Sequence, residues 1–93
     1  MMDLQEIADF YQEISREFKA LGVEKVILLH AHINQNQLPK MYIELAIEGN
    51  VILEELQEKS KTLWPLMELD ITVIDEFSDR ELIMEIYEDG IAI

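Results

Sequence analysis

Four side chains carry the donor atoms that a metal ion or a proton-transfer step would use. His30 and His32 stand two residues apart, and Glu44 and Asp70 follow further along the chain. Two imidazoles with one carboxylate are a familiar set for a divalent transition metal. The same residues also fit an exposed loop end beside a solvated acidic strand, and no metal, cofactor or catalytic residue is expected from them. Glu44 and Asp70 matter for a second reason. Each interrupts a run of alternating apolar residues, Met41 to Ile47 and Leu69 to Ile74. Two carboxylates at the middle of neighbouring strands are costly unless they are solvated, paired or metal-bound. Such a pair marks a site, or the remains of one.

The elements that would position these groups can be read from periodicity. Leu4, Ile7, Ala8, Tyr11, Ile14, Phe18 and Leu21 recur at three- and four-residue steps, which predicts an amphipathic helix from Asp3 to Leu21. Asp3 would cap it and Gly22 would end it. Lys25 to His30 reads as strand one. Strand two, Met41 to Ile47, alternates Met41, Ile43, Leu45 and Ile47 with Tyr42, Glu44 and Ala46. Asn50 is a plausible N-cap for a second helix from Val51 to Leu63, which must end before Pro65. Strand three, Leu69 to Ile74, sets Leu69, Ile71 and Val73 against Asp70, Thr72 and Ile74. Ser78-Asp79-Arg80-Glu81 has the form of a capping box, opening a third helix with Leu82, Ile83, Ile86 and Tyr87. Gly90 stops that helix, and the final Ile-Ala-Ile is an edge strand or a tail.

The order α-β-β-α-β-α predicts a single two-layer α/β (α+β) domain over residues 1–93, with a small mixed sheet. A helical crossover makes strands two and three parallel; strand one pairs antiparallel with strand two. The helices are expected on one face, over Met41, Ile43, Leu45, Ile47, Leu69, Ile71 and Val73. The other face would present Tyr42, Glu44, Asp70 and Thr72. Trp64 is expected to close the core at a helix end; exposed, it would serve as a partner anchor.

Composition narrows the function. The net charge is −13, from 20 acidic and 7 basic residues. Such a surface repels phosphate backbones and suits a basic protein partner, a cation or plain solubility. With no cysteine, thiolate metal sites and disulfides are excluded and the cytosol is the default compartment. No apolar run approaches the ~20 residues needed to span a bilayer. One feature is unusual: the long polar stretch HAHINQNQLPK between strands one and two, where a few residues would close a hairpin.

The succession LGVEKVILLHA, MYIELAIEGN, LEELQEKSKTLWPLMELDITVID and SDRELIMEIYEDGIAI resembles a minimal nucleotidyltransferase of the DNA polymerase beta-like superfamily, over nearly the whole chain. The family pattern has a helix, then a strand ending in Gly-Ser. About ten residues later an Asp-x-Asp pair follows in a strand, and a third Asp comes after the next helix. The resemblance places His30-Ala31 at Gly-Ser, Tyr42 and Glu44 at the first two Asp positions, and Asp70 at the third. It makes the long stretch the phosphate-binding loop by position. His30 adds a ring where the backbone must approach phosphate, Ala31 has no hydroxyl, and neutral Tyr42 cannot hold Mg²⁺. The resemblance therefore implies a pseudoenzyme. Members of the group often pair with HEPN-domain proteins, many of them ribonucleases, as antitoxin and toxin. The expectation is an inactive binding module held by a HEPN-like partner or by its own copy, with no membrane and no direct nucleic-acid contact. Its rivals are an active transferase using ATP and Mg²⁺ through Glu44 and Asp70, and a small ligand- or metal-binding domain.

Overall fold

The computed structural model describes residues 4–34 and 40–93. The elements are α1 (Leu4–Ala20), β1 (Val23–Asn34), β2 (Lys40–Gly49), α2 (Leu53–Leu63), β3 (Met67–Ile74), α3 (Arg80–Asp89) and β4 (Ile91–Ala92). The described strands form one mixed sheet in the order β3-β2-β1-β4. β1 and β2 are antiparallel, and β2 and β3 are parallel, as the crossover through α2 requires. The expected fold class and element order are therefore present. The closing Ile-Ala pairs antiparallel with β1, and the Ile93 N–H continues the contact to the Val26 carbonyl.

Alternation along β2 and β3 divides the core in two. One face carries Ile43, Leu45 and Ile47, all fully buried with Val26 of β1 beneath Ile14 and Phe18 of α1 and Leu56 of α2. Trp64 packs against this cluster, edge-on to Phe10 at 5.7 Å and to Phe18 at 6.5 Å between ring centroids, so it closes the core. The buried face of α1 differs from the expected stripe. Ser15 is also buried, and its hydroxyl donates to the Ile93 carbonyl at 2.9 Å, whereas Ala8 is exposed.

The expectation that every helix lies on one face is not met. α3 packs on the opposite face, where Ile86 and Ile83 meet Ile27, Ala46 and Ile74. Those last two residues are the apolar ones that the single-layer reading left uncovered. Burying them against an amphipathic helix is worth more than leaving them in water. Gly90 permits this docking: a Cβ there would lie 2.3 Å from Ile27 Cγ2 and 2.6 Å from the Ile86 carbonyl.

Two helix starts also differ from expectation. Asn50 does not cap α2; Ile52 holds the N-cap position and contributes no side-chain hydrogen bond. α3 is capped by Asp79, whose carboxylate accepts from the Glu81 N–H at 2.9 Å. Ser78 is instead drawn into a turn with Asp75, accepting from its N–H at 2.9 Å. Asp and Ser cap comparably well, so the turn around Asp75 decides which one is free to do so. Asp3, the expected cap of α1, lies outside the described residues.

Candidate functional site

The site is positioned by an irregularity in β1. Leu28 pairs with Leu45 and His30 with Glu44, so Leu29 is an extra residue and the ladder bulges there. Before the bulge, Val26 and Leu28 face α1 while Ile27 faces α3. Strict alternation would send His30 to the covered face. The bulge inverts the phase. Ala31 turns toward the α1 core, and His30 and His32 turn to the other face.

The result is two rows across three strands. His30 of β1 stands opposite Glu44 of β2, which stands opposite Asp70 of β3. One step along, His32 is opposite Tyr42, and Tyr42 is opposite Glu68. This is the end of the second face that α3 does not cover with its own apolar contacts. His30, His32, Glu68 and Asp70 are exposed; Tyr42 and Glu44 are half-buried. The His30 and Tyr42 rings approach to 6.5 Å between centroids.

Tyr42 is the hub. Its hydroxyl donates to the Asp70 carboxylate at 3.4 Å. Desolvation, followed by the negative charges of Glu44 and Asp70, raises its pKa above the ordinary phenol value. The tyrosine thus stays a neutral donor shared by two acids. At the far end of the same face α3 closes the sheet with a second polar contact. There the Tyr87 hydroxyl donates to Glu48, Lys25 pairs with Glu48 at 3.7 Å, and the Lys25 ammonium sits 5.6 Å from the centre of the Tyr87 ring.

The structure thus brings together Tyr42, Glu44, Asp70, His30 and His32, and separates Ala31 from them. Among the described residues no group of three or more His, Cys, Asp or Glu is placed to hold a metal ion. The expected ten-residue loop is also corrected. β1 continues to Asn34 and β2 begins at Lys40, so His30 to Asn34 belong to the hairpin ladder. Alternating polar and apolar residues at 30–33 are the pattern of a two-faced strand. Gln35, Asn36 and Gln37 lie outside the described residues.

Sequence reasoning did not find Glu68, which joins the second row because β3 begins at Met67 rather than Leu69. Beside it a hollow of about 450 Å³ follows the outer edge of β3, reaching from Tyr42, Glu68 and Asp70 round to Gln57 and Lys61 of α2. Among the described residues no helix is long and apolar enough to cross a membrane. No family model, no curated protein and no solved structure matches this chain.

Proposed function

We propose that this chain is a catalytically inactive, nucleotidyltransferase-like module that binds another protein. The observation that carries the reading is the ladder from His30 to Asn34, standing where the resemblance puts a phosphate-binding loop. A phosphate cradle needs successive backbone N–H groups turned to one side. In an extended strand they alternate between its two edges, and half of those in this stretch are directed at β2. The side chains support the same conclusion. Ala31, at the place of the family's serine, faces the helices, and Tyr42, at the place of the first aspartate, offers a neutral hydroxyl already donated to Asp70.

A surface of net charge −13 favours a basic partner. The resemblance suggests a HEPN-like protein in that role, acting in the cytoplasm as the toxin of a pair, with a second copy of this chain as the other arrangement. The test is incubation with labelled ATP, Mg²⁺ or Mn²⁺ and candidate protein acceptors. No transfer is expected. Metal-dependent labelling that disappears in Glu44→Gln would establish the rival, an active transferase working through the adjacent Glu44 and Asp70 carboxylates.

A further inference from the structure

We propose that the outer edge of β3 accepts an extended, basic segment of the partner as an added strand, with its cationic side chains over Glu68 and Asp70. The proposal rests on the binding-module reading and names its surface and the chemistry of its partner.

β3 is the outermost strand of the described sheet, and β2 is its one strand neighbour. It is eight residues long and pairs with β2 without a register shift. Edge strands are usually guarded against further pairing by a proline, a bulge, brevity or charged side chains, lysine above all; the charges on this one, Glu68 and Asp70, repel an acidic strand and leave the edge open to a basic one. β3, Met67-Glu-Leu-Asp-Ile-Thr-Val-Ile74, has no proline and no lysine, its register is continuous, and its length exceeds the common five or six residues. β4, on the opposite edge, is only two residues long.

The two faces of this edge differ in a way that selects an occupant. Toward α2, Leu69, Ile71 and Val73 are only half-buried although they belong to the main core, so a further strand has apolar surface to cover. Toward the other face, Glu68 and Asp70 are exposed, with Glu44 behind Asp70. The hollow along the edge opens on both sides of the strand, and its α2 side carries Lys61. A fitting segment therefore alternates. Its residues on the Glu68 and Asp70 side are Lys or Arg; those on the Lys61 side are neutral and β-branched, such as Val or Thr. Main-chain hydrogen bonds to the edge hold such a segment, and the alternating side chains select it.

A second copy is the poorer occupant. Pairing β3 with β3 would bring the Glu68 and Asp70 carboxylates of both chains together, on bodies that each carry −13.

The test titrates the intact chain with an eight-residue probe, Lys-Val-Lys-Thr-Lys-Val-Lys-Thr. A second probe has the same sequence with alternate backbone nitrogens methylated, which removes hydrogen bonding along one edge and keeps the charge. Binding is followed calorimetrically and by amide hydrogen exchange. The unmethylated probe should bind, slow exchange within 67–74, and weaken about ten-fold or more in the methylated form and in the Glu68→Gln/Asp70→Asn variant. Equal affinity of the two probes means attraction by charge alone and overturns the proposal. So does the absence of binding, or protection that appears elsewhere. The labelled-ATP assay, run on the same preparation, separates the two levels. No probe binding with no label transfer sinks the edge assignment alone, whereas metal-dependent transfer sinks the binding-module reading beneath it.

Discussion

Replacing Glu44 with Gln should make the protein more stable. Glu44 and Asp70 are register partners on adjacent parallel strands, with side chains on the same face. Neighbouring strands lie about 5 Å apart, so the two carboxylates repel across roughly 5–6 Å. Coulomb's law gives about 0.7–0.8 kcal/mol in water and about twice that at the half-buried level of Glu44, reduced to around 0.5–1 kcal/mol by physiological salt. Directly opposed like charges in sheets fall in the same range. The substitution keeps the shape of the side chain and leaves the Tyr42 hydroxyl its acceptor, Asp70. The expected gain is therefore about 0.5 kcal/mol, read as a higher urea midpoint with an unchanged slope. The measurement belongs at two salt concentrations. The gain should shrink toward zero as salt rises. A loss of stability, or a gain that ignores salt, would show that Glu44 has a favourable partner in the free protein and that the carboxylate pair is not held at a cost.

Two further outcomes follow from the geometry. Tyr42 is raised by desolvation and by Glu44 and Asp70, and Tyr87 by its hydrogen bond to Glu48 and by desolvation. A phenol with a raised folded-state pKa binds more protons folded than unfolded, so its contribution is complete below pH ~10 and is lost as pH climbs through the folded value. Stability should therefore fall above pH ~10, with a shallower fall in the Tyr42→Phe/Tyr87→Phe double variant; parallel slopes would refute it. Ile86→Ala removes the buried contact that α3 makes with Ile27, Ala46 and Ile74, and should cost about 2–4 kcal/mol in a denaturant melt followed by circular dichroism. A loss below about 1 kcal/mol would mean that α3 does not close the second face.

Much of this was legible because each face of β2 and β3 has a distinct character. Ile43, Leu45 and Ile47 against Tyr42 and Glu44 admit one register, since a slip of one residue would bury the acid and expose the core. The same alternation puts Glu44 and Asp70 on one face of neighbouring strands. The side taken by α3 was also written in the sequence. Ala46 and Ile74 are the apolar residues on the polar side of their strands, and Ile83 and Ile86 form a helical stripe that requires a partner. The signal is the combination, and it is missed when the helices are assigned to one layer by default.

The histidines are a different case, and the reason lies in β1. From Val26 to Leu29 every residue is apolar because both faces of the strand are covered, by α1 on one side and α3 on the other. A run with no alternation carries no phase, so an extra residue within it leaves no trace in the pattern. The bulge at Leu29 sits inside that silent stretch. Yet it decides everything downstream on the strand: without it, His30 and His32 would point into the core beneath α1, and Ala31 would stand opposite Tyr42. The polar pattern at 30–32 is consistent only with the shifted phase, because two imidazoles beneath α1 would require buried partners. The shift that carries the histidines to Tyr42 and Glu44 is thus enforced by the helix-covered core that they avoid. The site depends on the packing of α1 and α3 against β1 as much as on the acids themselves.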